Sequence, residues 1–284
     1  MGTGHIIGDF RLKFKSIFIA LNVALLFSMA AIILVPIFLM GTAEATVFLI
    51  GNWPFVAVLI LIIITFNVFY FTNNKLFMLL EKENWPALVR YLEQRVIRDG
   101  KYSPRLVRLL ANSYLVLSDS SSVMSLENKV AIVRPSLVED SALLFGTARI
   151  LGKDIPGAVR FFETRKDTAK AKLREWIRWY YGFALMIDRQ TEKAADEFSL
   201  LARFSKDGVI CGLSSYFLSS AITKALPEKT HEFEGAWKQG SQRVRKALPE
   251  QRHWQKEISR LSSEIHIAVL SRYINEASRW LYKI

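Results

Sequence analysis

Two long stretches without a charged residue lie in the first 74 positions, and they decide most of what this chain can fold into. Asp9, Arg11, Lys13 and Lys15 come first; no charge follows over residues 16–43, Glu44 interrupts, and residues 45–74 are uncharged again. A helix rises 1.5 Å per residue, so apolar runs over residues 17–40 and 53–71 are long enough to cross a hydrocarbon core of ~30 Å. Residues 1–74 therefore read as a membrane anchor. Pro36 lies inside the first span, and Asn52 with Pro54 gives the second a helix start.

The flanks set an orientation. Arg11, Lys13 and Lys15 precede the first span, Lys75, Lys82 and Arg90 follow the second, and the connection over residues 41–52 holds no Lys or Arg. Positive-inside bias then places both ends and the following domain in the cytoplasm, with a bacterial cytoplasmic membrane the expected location. The alternative is a cleaved signal peptide, since Ala43-Glu44-Ala45 matches a cleavage pattern, although the apolar run exceeds a usual signal core. Asn22 and Asn67 are the strongly polar residues of the spans, which points to an anchor and not an ion path. Ala20, Ala24 and Ser28 form a small-residue ridge, expected to pack on the second span or, alternatively, on another membrane protein.

From residue 75 onward the composition is that of an ordinary soluble chain. The single cysteine, Cys211, excludes an internal disulfide and reads as a small buried hydrophobe. His5, His231, His253 and His266 have no metal-ligand spacing, and no phosphate loop, nucleophile elbow or zinc-protease helix is present. No catalytic residue, cofactor or metal ligand is assigned, and the chain reads as non-enzymatic. The net charge of +12 falls almost wholly in the soluble part, with clusters at Arg165, Lys166, Lys170, Lys172 and Arg174 and at Arg243, Arg245 and Lys246. That suits a solvated face beside anionic lipid. Nucleic acid is disfavoured because no binding motif accompanies the charge.

The phrase "WPALVRYLE" at Trp85 is respelled as "IPGAVRFFE" at Ile155, 70 residues later. Half that distance recurs between them: Ala111 with Ser113 maps onto Gly146 with Ala148, and Asp119 onto Asp154, each 35 residues on. Gly182, Ala184, Ala194 and Phe198 then lie 36 residues after Gly146, Ala148, Ala158 and Phe162. A fixed period of this length signals stacked helix pairs, with small residues where two helices approach closely.

These positions resemble the tetratricopeptide-repeat (TPR) family of helical hairpins. Ala111, Gly146 and Gly182 match its small residue on the first helix, Ala158 and Ala194 the one opening the second, and Phe162 and Phe198 its aromatic one turn later. Tyr114 fits the first-helix tyrosine; Arg149 and Leu185 do not. The resemblance implies a partner-binding groove lined by first helices, at Leu143, Thr147, Ile150, Trp176, Trp179, Phe183 and Met186. That lining is apolar, so an apolar protein segment is the implied partner. The competing reading is that these aromatics are core under the terminal helix.

The expected fold is all-α: two transmembrane helices, a TPR-like α-solenoid over residues 75–248, and one long amphipathic helix over residues 249–284 that caps the array. The cap helix carries a stripe from Trp254 to Trp280. The expected function is a membrane-anchored scaffold for protein–protein interaction. The alternatives are a structural subunit of a membrane machine with no free groove and, below that, a nucleic-acid- or lipid-binding basic domain. Self-association stays open.

Overall fold

The computed structural model describes residues 14–261 and 265–283. Arg11 and Lys13, on which the orientation partly rests, and His5 lie outside the described residues. The described residues are 86% helical, with no strand among them, and two long apolar helices precede a helical domain. It forms two compact units, Met1–Tyr91 and Leu92–Ile284.

In the first unit α1 (Phe14–Met40) and α3 (Trp53–Glu81) are joined by a short apolar helix, α2 (Thr42–Gly51), which makes up most of the connection. Gly41 between α1 and α2 sits at φ 87, a left-handed conformation open to glycine. α3 runs ten residues past the expected span end, so the expected domain boundary at residue 74 falls inside it. Most side chains of both long helices are exposed, Phe27 and Phe38 among them, and only Pro36 and Leu79 are buried, the inverse of a soluble core helix. The two helices meet through stacked rings, Phe18 on Tyr70 at 3.7 Å and Phe14 on Phe77 at 5.1 Å. Beside them the Asn67 amide donates to Asn22 Oδ1 at 2.8 Å. This corrects the expectation for the small-residue ridge: Ala20, Ala24 and Ser28 are exposed on α1, away from α3. The bulkier face won because two amides in apolar surroundings gain most by pairing with each other.

The repeated phrases are helices α4 (Trp85–Glu93) and α9 (Ile155–Glu163), each with Pro in its first turn. α4 continues into a π-helical turn, Gln94–Arg98. Then come α5 (Pro104–Val116), α6 (Ser120–Val133), a one-turn α7 (Pro135–Asp140), α8 (Ala142–Leu151), α9, α10 (Ala171–Ile187), α11 (Thr191–Phe204) and α12 (Gly208–Phe217). α12 passes through a π-helical turn into α13 (Thr223–Ala225), and α14 (Thr230–Ala247) follows. α5, α8, α10 and α12 pack in that order as one layer, while α6, α9, α11 and α14 pack back against them.

One turn generates these pairs. Glu83, Ser118, Lys153 and Arg189 take φ of 51, 59, 63 and 63. The next residue's N–H reaches back five positions: Asn84 to Leu79 (3.1 Å), Asp119 to Tyr114, Asp154 to Arg149 and Gln190 to Leu185 (each 2.9 Å). This is a Schellman C-cap, written four times at intervals of 35, 35 and 36 residues. In the first three copies the same residue then caps the following helix, Asn84 to the N–H of Ala87, Asp119 to Ser122 and Asp154 to Gly157. The first copy closes α3 itself.

The small residues admit aromatic rings. A Cβ on Gly146 would lie 2.1 Å from the Phe162 ring, and one on Gly182 3.1 Å from Phe198. Phe162 then stacks on Tyr180 of the next first helix at 5.6 Å, and Phe198 on Phe217 at 5.4 Å. Each phenylalanine therefore joins its own pair to its neighbour. Cys211 is buried, and burial pushes its thiol pKa up.

The expected single terminal helix is corrected to three segments: α15 (Gln251–Leu261), α16 (Ile265–Val269) and α17 (Ser271–Tyr282). α15 and α17 lie on α12, and α16 lies on α8. Residues 262–264, between α15 and α16, lie outside the described residues; Leu270 separates α16 from α17.

Candidate functional site

The seven groove positions share the first-helix layer, but that layer is not open. Leu143 and Thr147 of α8 and Trp176, Trp179 and Phe183 of α10 are buried; Ile150 and Met186 are half-buried. Trp179 stacks on Phe183 at 5.3 Å, and both rings stand edge-on to Phe217 of α12 at 5.6 and 5.8 Å. The terminal segments supply the cover. His266 of α16 meets Trp176 at 5.2 Å, and Tyr273 of α17 meets Phe183 at 5.6 Å. The Tyr180 hydroxyl donates to the His266 carbonyl at 2.7 Å. A surface with two tryptophans is costly to leave in water, and the chain's own end buries it. His266 is 5% exposed, and burial pushes its pKa down to about 4, so the ring is neutral at pH 7.

Part of the layer stays uncovered by the described residues. A cavity of about 510 Å³ opens at the amino-terminal ends of the first helices, with Arg108 and Asn112 of α5, Leu143, Trp176 and His266 among its walls. Leu143 and Trp176 are the groove residues among the cavity's walls.

Much of the basic cluster works inside the fold. Arg165 pairs with Glu139 at 3.0 Å, Lys166 with Glu197, Lys170 with Asp140, and Arg178 with Asp167. Arg243 donates to the carbonyls of Ala202 (3.2 Å) and Ser205 (2.7 Å), satisfying the carboxyl-terminal end of α11. Arg245 donates to Leu281 at 2.9 Å. Charge counting missed these partners because they stand elsewhere in the sequence, most of them on other helices. Among the described residues no group of His, Cys, Asp and Glu is placed to hold a metal ion.

A recurring glutamate also escaped the motif reading. Glu93 accepts from the Tyr114 hydroxyl (2.7 Å), Glu127 from Arg149 Nη2 (3.2 Å) and Glu163 from the Tyr181 hydroxyl (3.1 Å). Glu93 and Glu163 are the last letters of the two repeated phrases. Each ties one second helix to the next first helix, and a spacing of 34 and 36 residues was the available signal.

Fold and site together define a class: a domain of stacked helical pairs behind two long apolar helices, with its first-helix layer largely closed by its own terminal segments. Residues 122–283 match the family described as "Uncharacterised Treponema protein", and the chain belongs to that family. A relative from Treponema pallidum (strain Nichols), described as "Uncharacterized protein", is 30% identical over 224 residues, 78% of this chain and 69% of the relative. No solved structure matches.

Proposed function

We infer that this protein is a membrane-anchored, TPR-like adaptor that assembles or recruits a membrane complex. The observation that carries the reading is the capped turn written four times from the end of α3 onward. An apolar helix that ends in the first repeat turn is a way to hold a repeat array at a membrane. The exposed apolar surface of α1 and α3 suits lipid, and the basic flanks favour a cytoplasmic domain. Arrays of this kind work by presenting surface to other proteins.

The filled first-helix layer favours a second form of the same reading, a structural subunit whose contacts lie outside that layer. Leu151 and Ile187, the last residues of α8 and α10, are exposed and take no part in the layer's filled aromatic face. A photo-crosslinking residue at each, in the full-length protein in native membranes, tests the adaptor reading. It expects both positions to label the same foreign membrane protein. Label confined to lipid contradicts it, and label confined to a second copy of the chain replaces it with a self-assembling subunit.

A further inference from the structure

The uncovered cavity combines features that a closed solenoid does not need. Its walls are apolar where first helices contribute Leu143, Leu173 and Trp176, and polar where α5 contributes Arg108 and Asn112; Lys170 and Arg260 also border it, each already paired, with Asp140 and Glu257. Arg108 and Asn112 are one helical turn apart and so share a face. Arg108 is exposed and its guanidinium donates to the backbone carbonyl of Asp140 at 3.1 Å; no carboxylate engages it among the described residues. The two acidic residues at the cavity are already engaged. Asp140 pairs with Lys170, and Asp207 accepts from the N–H groups of Val209 (2.8 Å) and Ile210 (3.1 Å) at the start of α12. On another wall the buried His266 has an Nε2 with no hydrogen-bond partner. A volume of about 510 Å³ lies within the range of small-molecule sites, ~300–1,000 Å³.

We propose that this cavity binds a small amphiphilic carboxylate, a medium-chain fatty acid in its simplest form. The alkyl chain lies on Leu143, Leu173 and Trp176, and the carboxylate meets the Arg108 guanidinium and the Asn112 amide. A guanidinium gives a carboxylate two parallel N–H donors, and the apolar walls reject a fully hydrated ion. A neutral imidazole at His266 keeps the wall beside Trp176 free of charge. The site stands apart from any partner protein and does not depend on the adaptor reading.

The test uses the full-length protein in lipid nanodiscs and a medium-chain carboxylic acid with a terminal diazirine. Photolabel is expected on α8 and α10, and the unlabelled acid is expected to compete better than the alcohol or the alkyl phosphate of equal chain length. Losing a charge-assisted contact lowers labelling roughly tenfold in Arg108→Ala. Leu173→Trp, which fills the cavity, lowers it as well. Arg105→Ala, an exposed charge outside the cavity, leaves it unchanged. Label confined to residues 14–81, equal labelling in Arg108→Ala and Arg105→Ala, or equal competition by the alcohol overturns the site. Equal competition by the alkyl phosphate overturns its preference for a carboxylate. Should Leu173→Trp fail to fold, the two arginine variants decide between these outcomes.

Discussion

The Tyr180 hydroxyl donates to the backbone carbonyl of His266, 2.7 Å away and 86 residues further along the chain. This bond lies inside the aromatic layer and pins α16 onto it. Both groups are buried, so the bond is worth more as a satisfied pair than as an isolated attraction. Tyr180→Phe keeps the ring stacked on Phe162 and strands the carbonyl. A loss of about 1–3 kcal/mol is expected in denaturant unfolding, with earlier proteolytic release of residues 265–283.

His266 makes that attachment sensitive to pH. Its folded pKa is about 4, below the ordinary value of 6.5. Above pH 6.5 the ring is neutral in both the folded and the unfolded chain, and nothing is lost. As the pH falls from 6.5 towards 4, only the unfolded chain takes up the proton, and stability drops by about 1.4 kcal/mol per pH unit. Thermal midpoints of the parent and of His266→Phe should therefore diverge on acidification, the parent falling faster between pH 6.5 and 5. Parallel curves would show that His266 titrates normally.

Two glycines at equivalent positions should respond differently to the same change. Alanine at Gly146 puts a Cβ 2.1 Å from the Phe162 ring, and at Gly182 3.1 Å from Phe198. Alanine gains about 1 kcal/mol of helix propensity at either site. Overpacking costs about 1–3 kcal/mol where the ring cannot retreat. Gly146→Ala is expected to destabilise, and Gly182→Ala to change stability by less than about 1 kcal/mol, both read from urea midpoints.

The repeated turn places residues with a Cβ at positive φ, where glycine is more at ease. Lys153→Gly and Arg189→Gly should each stabilise by about 0.5–1 kcal/mol, because both side chains sit on exposed turns. Lys193→Gly, inside α11, should destabilise by about 1 kcal/mol. A loss in all three variants would contradict the turn geometry.

What could be read in the sequence was local or periodic. Gly146, Ala158 and Phe162 reappear as Gly182, Ala194 and Phe198 because each pair solves the same contact, and the solution leaves its letters at a fixed interval. The apolar runs were equally legible, since length and lack of charge suffice. Whether Trp176, Trp179 and Phe183 line an open groove or lie as core under the terminal segments was legible only as two alternatives. Their partners, His266 and Tyr273, stand about ninety residues away, too far for any local pattern to join them. An apolar groove and an apolar core are spelled alike, and only the path of the chain's end separates them. Ala20, Ala24 and Ser28 misled for a related reason. Small residues permit close approach, yet α3 met the face carrying Phe18 and Asn22, where rings stack and two amides pair.

The closed first-helix layer is the claim on which the rest depends, and a photo-crosslinking residue in place of Tyr273 tests it most directly. In the full-length protein in native membranes, the adduct is expected within the same chain, on α10 or α12 near Phe183 and Phe217. Adducts chiefly to other proteins, with α10 left free, would show that the terminal helix swings away and the groove is open.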